Sequence, residues 1–496
     1  MLAVRSRARI SGLTLLATMA TVGVLLTITT ERYGLLMGIA VIFFALFLFF
    51  VFPGAIGQAA EKFSALWRSL AWWHVLWLLL FLSGLVFRGR DTQAIREMPV
   101  DAWAAYRILL VGITAAVLLV RLSLRQTEWI ASMFRGLVCA LAIYGLISVA
   151  SASWSAYPAW TLYKALEYLV DVALLAAVLA VVRSTREYKS LIDWNLALQG
   201  GTLAMVWAGA ILWPEKAFLP GSELLPGRIS GVLPSMDANS VGECAALLAI
   251  IAFARLTSFD QEGRKRTFYG VLLALALVTL LFSQTRVAIV GFLVAAIVVL
   301  FFSKRLGAIA LIVLTLVLLL SLTQVGGLFS ELWQRGERPE ELQSFSGRLT
   351  LWEFAWEKFL QRPLTGYGAY AGGRFFVLAN VGKAGLSSTL SSYVEVMVGT
   401  GLLGLISIVV ALVGTWWLLI RTLAGPSFEL AERQLALEAV GMLTIVTAHS
   451  FFSVEMVWHP ALVYFAALGA AEFLRRHQKP LTASVPSYNT LLSRDL

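Results

Sequence analysis

The chain has 496 residues, of which 59% are hydrophobic and 14% are charged, and its formal net charge is +10. Charged residues are too few for a soluble protein of this size, whose surface would expose many more of them. Apolar stretches of membrane-spanning length recur along the whole chain and predict an all-α polytopic membrane protein. The stretches are continuous, without the period-two alternation of membrane strands, so a β-barrel is excluded.

The apolar stretches predict about fourteen transmembrane helices, within a range of about 12–14. The first follows the basic segment RSRARI and resembles a signal peptide, but no A-x-A-like cleavage site ends it. We therefore expect a retained span. The predicted spans are 10–30, 33–53, 71–87, 104–121, 131–150, 162–182, 191–213, 240–256, 268–285, 287–303, 307–325, 391–419, 436–457 and 460–474.

Lys and Arg concentrate in alternate connections between these spans, which predicts that those connections and both termini are cytoplasmic. The positive net charge is thereby explained by membrane orientation, and no nucleic-acid partner is expected. The two cysteines, Cys139 and Cys244, lie within apolar stretches and are interpreted as core residues. The cytoplasmic connections are 54–70, 121–130, 183–190, 255–267, 304–305 and 421–435.

The spacing of the spans divides the chain into four predicted regions. An N-terminal transmembrane bundle covers 1–325, and one long periplasmic loop covers 326–390. C-terminal transmembrane helices follow over 391–476, and the polar tail 477–496 reads as a disordered cytoplasmic segment. Long structured loops are usually functional, so the 326–390 loop is a candidate part of an active site.

The long loop contains an amphipathic helix according to its sequence pattern. In GRLTLWEFAWEKFLQ, Leu349, Trp352, Trp356 and Phe359 recur at helical spacing, and Pro363 ends the pattern. Tryptophan-rich amphipathic helices beside a bilayer commonly lie in its interface. We expect this helix to cap the membrane domain.

Four cations lie at or just below the predicted outer surface, where membrane orientation requires none. Two of them, near the outer ends of their spans, can snorkel to the water layer. Arg286 instead occupies a turn of only a few residues between two spans. Arg228 lies in a Gly/Pro-rich segment that leads into a helix start marked by Asp237, Asn239 and Ser240. The four cations are Arg107, Lys164, Arg228 and Arg286.

The surroundings of Arg228 and Arg286 favour a bound anion. A helix start exposes backbone N–H groups and a positive terminus, and arginine offers a planar fork suited to bidentate phosphate contacts. Snorkelling, or a structural ion pair with Glu223 or Glu243, is the alternative explanation.

Five segments resemble, in order, the motifs of the bacterial O-antigen ligase and polymerase family of membrane glycosyltransferases. The resemblance runs from about residue 151 to residue 405. The segments are SASWSAYPAWTLYKALEYL, PGRISGVLPSMDANS, FSQTRVA, SGRLTLWEFAWEKFLQRPLTGYGAY and SSYVEVMVGTGLLGL.

The resemblance implies a GT-C-like enzyme that acts on glycans carried by undecaprenyl diphosphate at the periplasmic face. By motif, the family's diphosphate-binding arginines correspond to Arg228 and Arg286, and Arg348 matches the loop motif. Lys164 and Asn239 are further candidates for substrate binding. Fixed guanidinium groups stabilise charge on a departing diphosphate, so no metal and no cofactor are expected.

The chain departs from the family at one position. Ligase-like members carry His-Asn eleven residues before the first glycine of G-L-L-G, where this chain has Leu390 and Ser391, and 326–390 contains no histidine. His459, predicted to lie beside Glu455 at the outer surface, could be a displaced base. Glu395 is a second catalytic candidate.

These features predict an inner-membrane glycosyltransferase that polymerises O-antigen or exopolysaccharide repeat units. The alternative is an O-antigen ligase that transfers polymer to lipid A-core, and a more distant one is a lipid-linked oligosaccharide flippase. Flippases are expected to show related halves, whereas this chain has one long outer loop placed asymmetrically. The expected partners are a lipid-linked donor, a glycan or lipid-linked acceptor, membrane lipid, and a chain-length regulator or flippase.

Overall fold

The computed structural model is almost entirely helical, as the sequence predicted. It describes residues 70–85, 90–124, 128–219, 227–257, 263–310, 312, 314, 347–383, 385–425 and 428–477.

The described helices are numbered in chain order. They are α1 Trp72–Leu85, α2 Thr92–Glu97, α3 Ala102–Ser123, α4 Glu128–Met133, α5 Gly136–Ala150, α6 Pro158–Val181, α7 Thr185–Leu212, α8 Pro214–Ala217, α9 Ala238–Leu256, α10 Gly263–Ser283, α11 Arg286–Phe302, α12 Arg348–Gln361, α13 Leu378–Asn380, α14 Ser392–Ala424, α15 Leu430–Ser450 and α16 Leu462–His477. A 3-10 turn covers Ser151–Trp154 and a π-helical turn covers Gly372–Val377. A short antiparallel ribbon pairs β1 Phe218–Leu219 with β2 Arg228–Ile229.

The chain forms two compact units. The first comprises Met1–Arg88 and Ala94–Thr114 and includes α1 and the first half of α3. The second comprises Gly89–Gln93 and Ala115–Leu496 and includes every element from α4 onward.

Six described helices are long and apolar enough to cross a membrane, namely α3, α5, α7, α9, α10 and α14. The helices α1 and α11 are apolar but shorter. The chain is therefore a multi-pass, all-α membrane protein. Eleven of the predicted spans fall on described helices, whereas 10–30 and 33–53, and most of 307–325, lie outside the described residues. The count of fourteen is not confirmed.

Helix α9 lies at the centre of the second unit and packs against α10, α11 and α15. Its apolar window is 78% buried, the largest share among the six spanning helices. Close packing against α15 depends on Gly441, where a Cβ would lie 2.7 Å from a side-chain carbon of Ile250. Small residues at helix contacts let membrane helices approach each other closely.

A buried ion-pair network holds the C-terminal end of α9. Both carboxylate oxygens of Glu438 accept hydrogen bonds from Arg255, at 3.1 and 2.8 Å, and Asp193 lies 2.6 Å from the same guanidinium. Arg255 was interpreted from the sequence as an orienting cation in the 255–267 connection. The structure corrects this interpretation, because Arg255 is 2% exposed and its charge is compensated inside the helix packing.

Two glycine-rich segments pack backbone against backbone beside α12. The turn Pro363–Gly368 bonds to the middle of α14, where Tyr367 N donates to Val398 O and Leu402 N donates to Pro363 O. Helix α14 is interrupted there, because Gly401 has a φ of 63°. We call this contact the glycine junction. It explains why the resembling motifs carry glycine on both sides, since a side chain would separate the backbones.

The 3-10 turn before α6 also joins the glycine junction. The indole of Trp154 donates to Thr365 O at 3.1 Å, and the hydroxyl of Ser151 accepts from Ala369 N at 2.9 Å. From the first turn of α6, Thr161 donates to Ala369 O at 2.7 Å. Three of the five resembling motifs therefore meet in one contact.

The amphipathic helix of the long loop is present as α12, and it ends two residues before Pro363 as predicted. Its buried residues are Leu351, Ala355 and Phe359. The buried face therefore differs from the predicted one, which included Trp356, a residue that is 51% exposed. The buried face packs on a core that the loop forms together with α14. That core also contains Tyr367, Val377, Leu378 and Val398.

The glycine junction gives the first testable prediction. A Cβ at Gly401 would lie 2.4 Å from the carbonyl carbon of Leu364, and the positive φ disfavours any L side chain. Gly401→Ala should therefore lower the free energy of unfolding by about 1–3 kcal/mol from overpacking alone, seen as a lower midpoint of thermal unfolding in detergent. The control is Gly201→Ala in α7, where no heavy atom lies within 4 Å. Equal midpoints for Gly401→Ala and the wild type would contradict the prediction.

Candidate functional site

Arg228 is held at the N-terminus of α9 by two hydrogen bonds. Its Nε donates to the backbone carbonyl of Ser283 at 2.9 Å, and its Nη2 donates to the side-chain oxygen of Asn239 at 2.8 Å. Helix α9 begins at Ala238, because the side chain of Asp237 caps it and accepts a hydrogen bond from Ser240 N at 2.7 Å. Of the two alternative ion-pair partners, Glu223 lies outside the described residues, and the carboxylate of Glu243 is 3.2 Å from His449.

Arg286 begins α11, and the turn before it packs on the start of α9. The hydroxyl of Thr285 donates to Ala238 O at 2.9 Å. Gly242 faces this turn so closely that a Cβ would lie 2.6 Å from Ser283 Oγ. The two motifs that carry Arg228 and Arg286 are thus joined at one helix terminus, as the anion-site interpretation requires. We call Arg228, Asn239 and Arg286 the arginine site.

Arg348 begins α12 and stacks on the ring of Phe452, 5.5 Å from the ring centroid. Phe452 belongs to the segment 451–461 between α15 and α16, called here the 451–461 loop. Trp352, one turn along α12, also packs on Phe452 and donates to Thr389 O at 3.0 Å. The loop-motif arginine therefore contacts a segment that the resemblance did not include.

The same loop forms a cluster with α9 and α15. Glu243 lies one turn after Asn239 in α9, and its carboxylate is 3.2 Å from Nδ1 of His449 near the end of α15. Glu455 of the 451–461 loop completes the group, since ligand atoms of all three residues lie within 4.8 Å of one another. We call these three residues the acidic–histidine cluster. Its geometry could hold a cation or transfer a proton.

The acidic–histidine cluster lies beside the position where the family carries its histidine. The hydroxyl of Ser391 is 3.5 Å from Ser450 O, and the hydroxyl of Ser392 donates to Ser453 O at 2.9 Å. His449 therefore comes from another helix to the neighbourhood of Leu390 and Ser391. Sequence reasoning missed this residue. The one available signal was the spacing of Asn239 and Glu243, which places both on one face of α9.

His459 lies in a different environment from the one predicted for it. Its Nδ1 is 2.6 Å from the carboxylate of Asp171 in α6, and both side chains are fully buried. The second oxygen of Asp171 accepts from Ala461 N at 3.3 Å. The ring of His459 is therefore buried in the helix packing against α6, and its position at the outer side of the membrane stays a prediction. Its catalytic role stays a prediction.

Lys164 is also buried rather than snorkelling. Its ammonium is 2.8 Å from the carboxylate of Glu167 in the next turn of α6, and its side chain is 6% exposed. Three aromatic rings surround the ammonium, with centroids at 4.6 Å for Tyr163, 5.1 Å for Trp160 and 5.8 Å for Trp458. The structure thus places Lys164 in an aromatic environment around α6 and the 451–461 loop.

Glu395, the other catalytic candidate, is buried in the first turn of α14. One carboxylate oxygen accepts from the backbone N–H and the hydroxyl of Thr389, at 3.0 and 2.8 Å. Gly373 lies so close that a Cβ there would be 2.5 Å from the carboxylate. These contacts connect the first turn of α14 to the residues that precede it, so Glu395 has a structural role. Its catalytic role stays a prediction.

The structure therefore sorts the predicted residues into two neighbourhoods. Arg228, Asn239 and the turn that precedes Arg286 meet at the start of α9. Arg348 contacts the 451–461 loop, which also carries Glu455 of the acidic–histidine cluster. Lys164 and His459 lie along α6. A positive helix terminus with arginine side chains can bind a diphosphate, and an adjacent histidine–carboxylate pair can accept a proton.

Comparison with known proteins finds one family whose sequences match part of the chain. Residues 271–409 match the family described as O-antigen ligase, a range that contains Arg286, Arg348, Glu395 and the glycine junction. Arg228 and the acidic–histidine cluster lie outside the matched range. No curated protein matches the chain. The family implies a glycosyltransferase-type enzyme with lipid-linked glycan substrates. Residues 271–409 are thus similar to the O-antigen ligase family, and the predicted resemblance to the O-antigen ligase and polymerase family is confirmed.

Proposed function

We propose that the protein transfers a glycan from undecaprenyl diphosphate to an acceptor hydroxyl at the periplasmic face of the inner membrane. The reaction we favour is polymerisation of O-antigen or exopolysaccharide repeat units. The observation that carries the proposal is the convergence of Arg228 and Arg286 at the start of α9, next to the acidic–histidine cluster.

The arginine site suits the donor diphosphate. The diphosphate is the leaving group, so its negative charge increases as the bond to the anomeric carbon breaks. Hydrogen-bond donors that are already oriented toward the leaving group lower the activation barrier, because they need not reorient as the negative charge develops. Arg228 is preorganised by its bonds to Ser283 O and Asn239, and the N-terminus of α9 adds a positive dipole end.

The acidic–histidine cluster suits activation of the acceptor. Glu243 faces Nδ1 of His449, which favours the tautomer with hydrogen on Nδ1 and leaves Nε2 as the proton acceptor. Nε2 makes no hydrogen bond within the described part of the chain. The acceptor oxygen attacks the anomeric carbon, its proton passes to His449, and the carbon–oxygen bond to the diphosphate breaks. The lipid diphosphate then leaves with the bonding electron pair.

Polymerase and ligase differ in the acceptor, and a deletion strain separates them. Loss of long chains, with single repeats still transferred to their lipid acceptor, is the result expected of a polymerase. Accumulation of full-length polymer on undecaprenyl diphosphate would instead assign the protein as a ligase.

The donor site is tested with purified variants and a lipid diphosphate donor. Arg286→Ala should insert and fold normally but lose transfer, because the guanidinium no longer stabilises the leaving diphosphate. Arg286→Lys should retain partial activity, since the charge remains but the bidentate geometry is lost. Arg183→Ala is the matched control, as this side chain is 71% exposed in a surface ion pair. Wild-type turnover by Arg286→Ala would refute the donor site.

The base is tested by comparing three histidines. His449→Ala should reduce transfer by about a hundredfold or more while donor binding persists. His459→Ala should chiefly lower thermal stability, because it leaves the buried carboxylate of Asp171 without its partner. His477→Ala, at the exposed end of α16, is the control. If His459→Ala folds normally and abolishes transfer while His449→Ala is active, the assignment of the base to His449 is wrong.

The proposed orientation is tested by labelling with an impermeant maleimide. In a cysteine-free background, a cysteine at exposed Glu357 in α12 should be labelled from the periplasmic side. A cysteine at exposed Lys265, near the start of α10, should be labelled only after the membrane is opened. Labelling at position 265 alone in intact preparations would reverse the topology.

A further inference from the structure

A second group of side chains lies apart from the arginine site. Trp160 and Lys164 come from α6, Arg374 from the π-helical turn, and Trp458 from the 451–461 loop; we call these four residues the aromatic cluster. The guanidinium of Arg374 lies over the ring of Trp160, 5.0 Å from its centroid. Phe375 also packs edge-on against Trp160, with the ring centroids 5.7 Å apart.

Three hydrogen-bond donors of the aromatic cluster lack an acceptor. The indole Nε1 atoms of Trp160 and Trp458 and the Nε of Arg374 are all buried, and none has a hydrogen-bond partner in the described ranges. Arg374 as a residue is 4% exposed. Buried donors in folded proteins are nearly always paired, and buried tryptophan usually finds a partner for its N–H. Three such donors around shared rings indicate a ligand rich in acceptor oxygens.

The charges of the aromatic cluster are nearly balanced. Lys164 is paired with Glu167, and Arg374 donates to the backbone carbonyl of Arg90. Burial lowers the pKa of Arg374 to about 10, against the opposing effect of the Glu395 carboxylate. The guanidinium is still charged at neutral pH, but the cluster has no surplus of unpaired cations comparable to a diphosphate site. A hydroxyl-rich neutral or weakly acidic ligand fits better.

Saccharides have this chemistry. Their hydroxyl and ring oxygens accept from indole and guanidinium N–H groups, and their C–H faces pack on aromatic rings. Trp160 and Trp458 are each only partly buried as residues, so part of each ring can be covered by such a ligand. Binding sites of this kind combine mostly aromatic walls with a few polar groups that set orientation.

The position of the aromatic cluster relates it to the proposed reaction. Glu455 of the acidic–histidine cluster and Trp458 are three residues apart in one loop, which limits the separation of their Cα atoms to about 10 Å. The hydroxyl of Tyr370, four residues before Arg374, donates to Val457 O and holds the loop between them. A sugar bound at Trp458 therefore lies within one or two sugar lengths of the acidic–histidine cluster.

We propose that the aromatic cluster binds a saccharide unit of the acceptor glycan and presents it to the acidic–histidine cluster. This assignment to the acceptor rests on the proposed glycosyl transfer, whereas saccharide binding itself does not. Trp160, Trp458 and Arg374 act as the binding residues, and Lys164 holds the two indoles in place.

The probe is the lipid-free oligosaccharide released by mild acid from the surface polysaccharide of the source strain. Its binding to the full-length protein in detergent is measured by saturation-transfer NMR titration. Trp160→Phe and Trp458→Phe keep a ring but remove the N–H, and each should weaken binding about fivefold, the effect of one hydrogen bond. Arg374→Met should weaken it further. Trp417→Phe, at a 66% exposed position in α14, should bind like the wild type.

A second titration, with undecaprenyl diphosphate, separates the two proposals. The aromatic-cluster variants should bind this lipid as the wild type does, while Arg286→Ala should not. The inference is overturned if these variants retain full oligosaccharide affinity, if the wild type binds no oligosaccharide, or if they lose lipid diphosphate binding instead. If the Arg286→Ala variant binds the lipid diphosphate and transfers glycan normally, the proposed donor site is refuted. The requirement for Trp160 in saccharide binding would still support the aromatic cluster.

Discussion

The hydrogen bonds of Arg228 to Ser283 O and to Asn239 organise the proposed donor side of the molecule. They connect β2, the turn before α11 and the first turn of α9, segments that are distant in sequence. Gly242 allows the turn to approach α9 closely, and Thr285 bonds to Ala238 O. Two arginines from separate motifs consequently share one helix terminus, where unsatisfied backbone N–H groups already favour an anion.

The two ends of α9 show two ways of keeping arginine in a membrane protein. At the C-terminal end, Arg255 is fully compensated by Glu438 and Asp193 inside the protein. At the N-terminal end, Arg228 donates to the backbone carbonyl of Ser283 and to the side-chain oxygen of Asn239, and these two bonds orient its guanidinium. A charge placed near the end of a span costs less than one at its centre. The buried ion pairs of Arg255 give it a structural role, whereas ligand binding by Arg228 is the role that we propose for it.

The 451–461 loop connects the neighbourhoods that the motifs define separately. Phe452 supports Arg348, Glu455 joins Glu243 and His449, and Val457 accepts from Tyr370. Farther along, Trp458 covers Lys164 and His459 pairs with Asp171. A short segment without regular structure thus contacts α6, α9, α12 and Tyr370, which precedes the π-helical turn. Donor and acceptor would approach each other across this loop.

The sequence by itself determined the class of protein and most helix positions, and it indicated Arg228 and Arg286 as candidate binding residues. A bilayer requires long apolar helices whose backbone bonds are internal, so their positions are visible as continuous apolar stretches. Cations placed where orientation needs none are equally visible. Only the tertiary structure shows the different surroundings of His449 and His459, which lie in one stretch, AHSFFSVEMVWHP. Their partners, Glu243 and Asp171, are hundreds of residues away and are selected by helix packing, which no local pattern encodes.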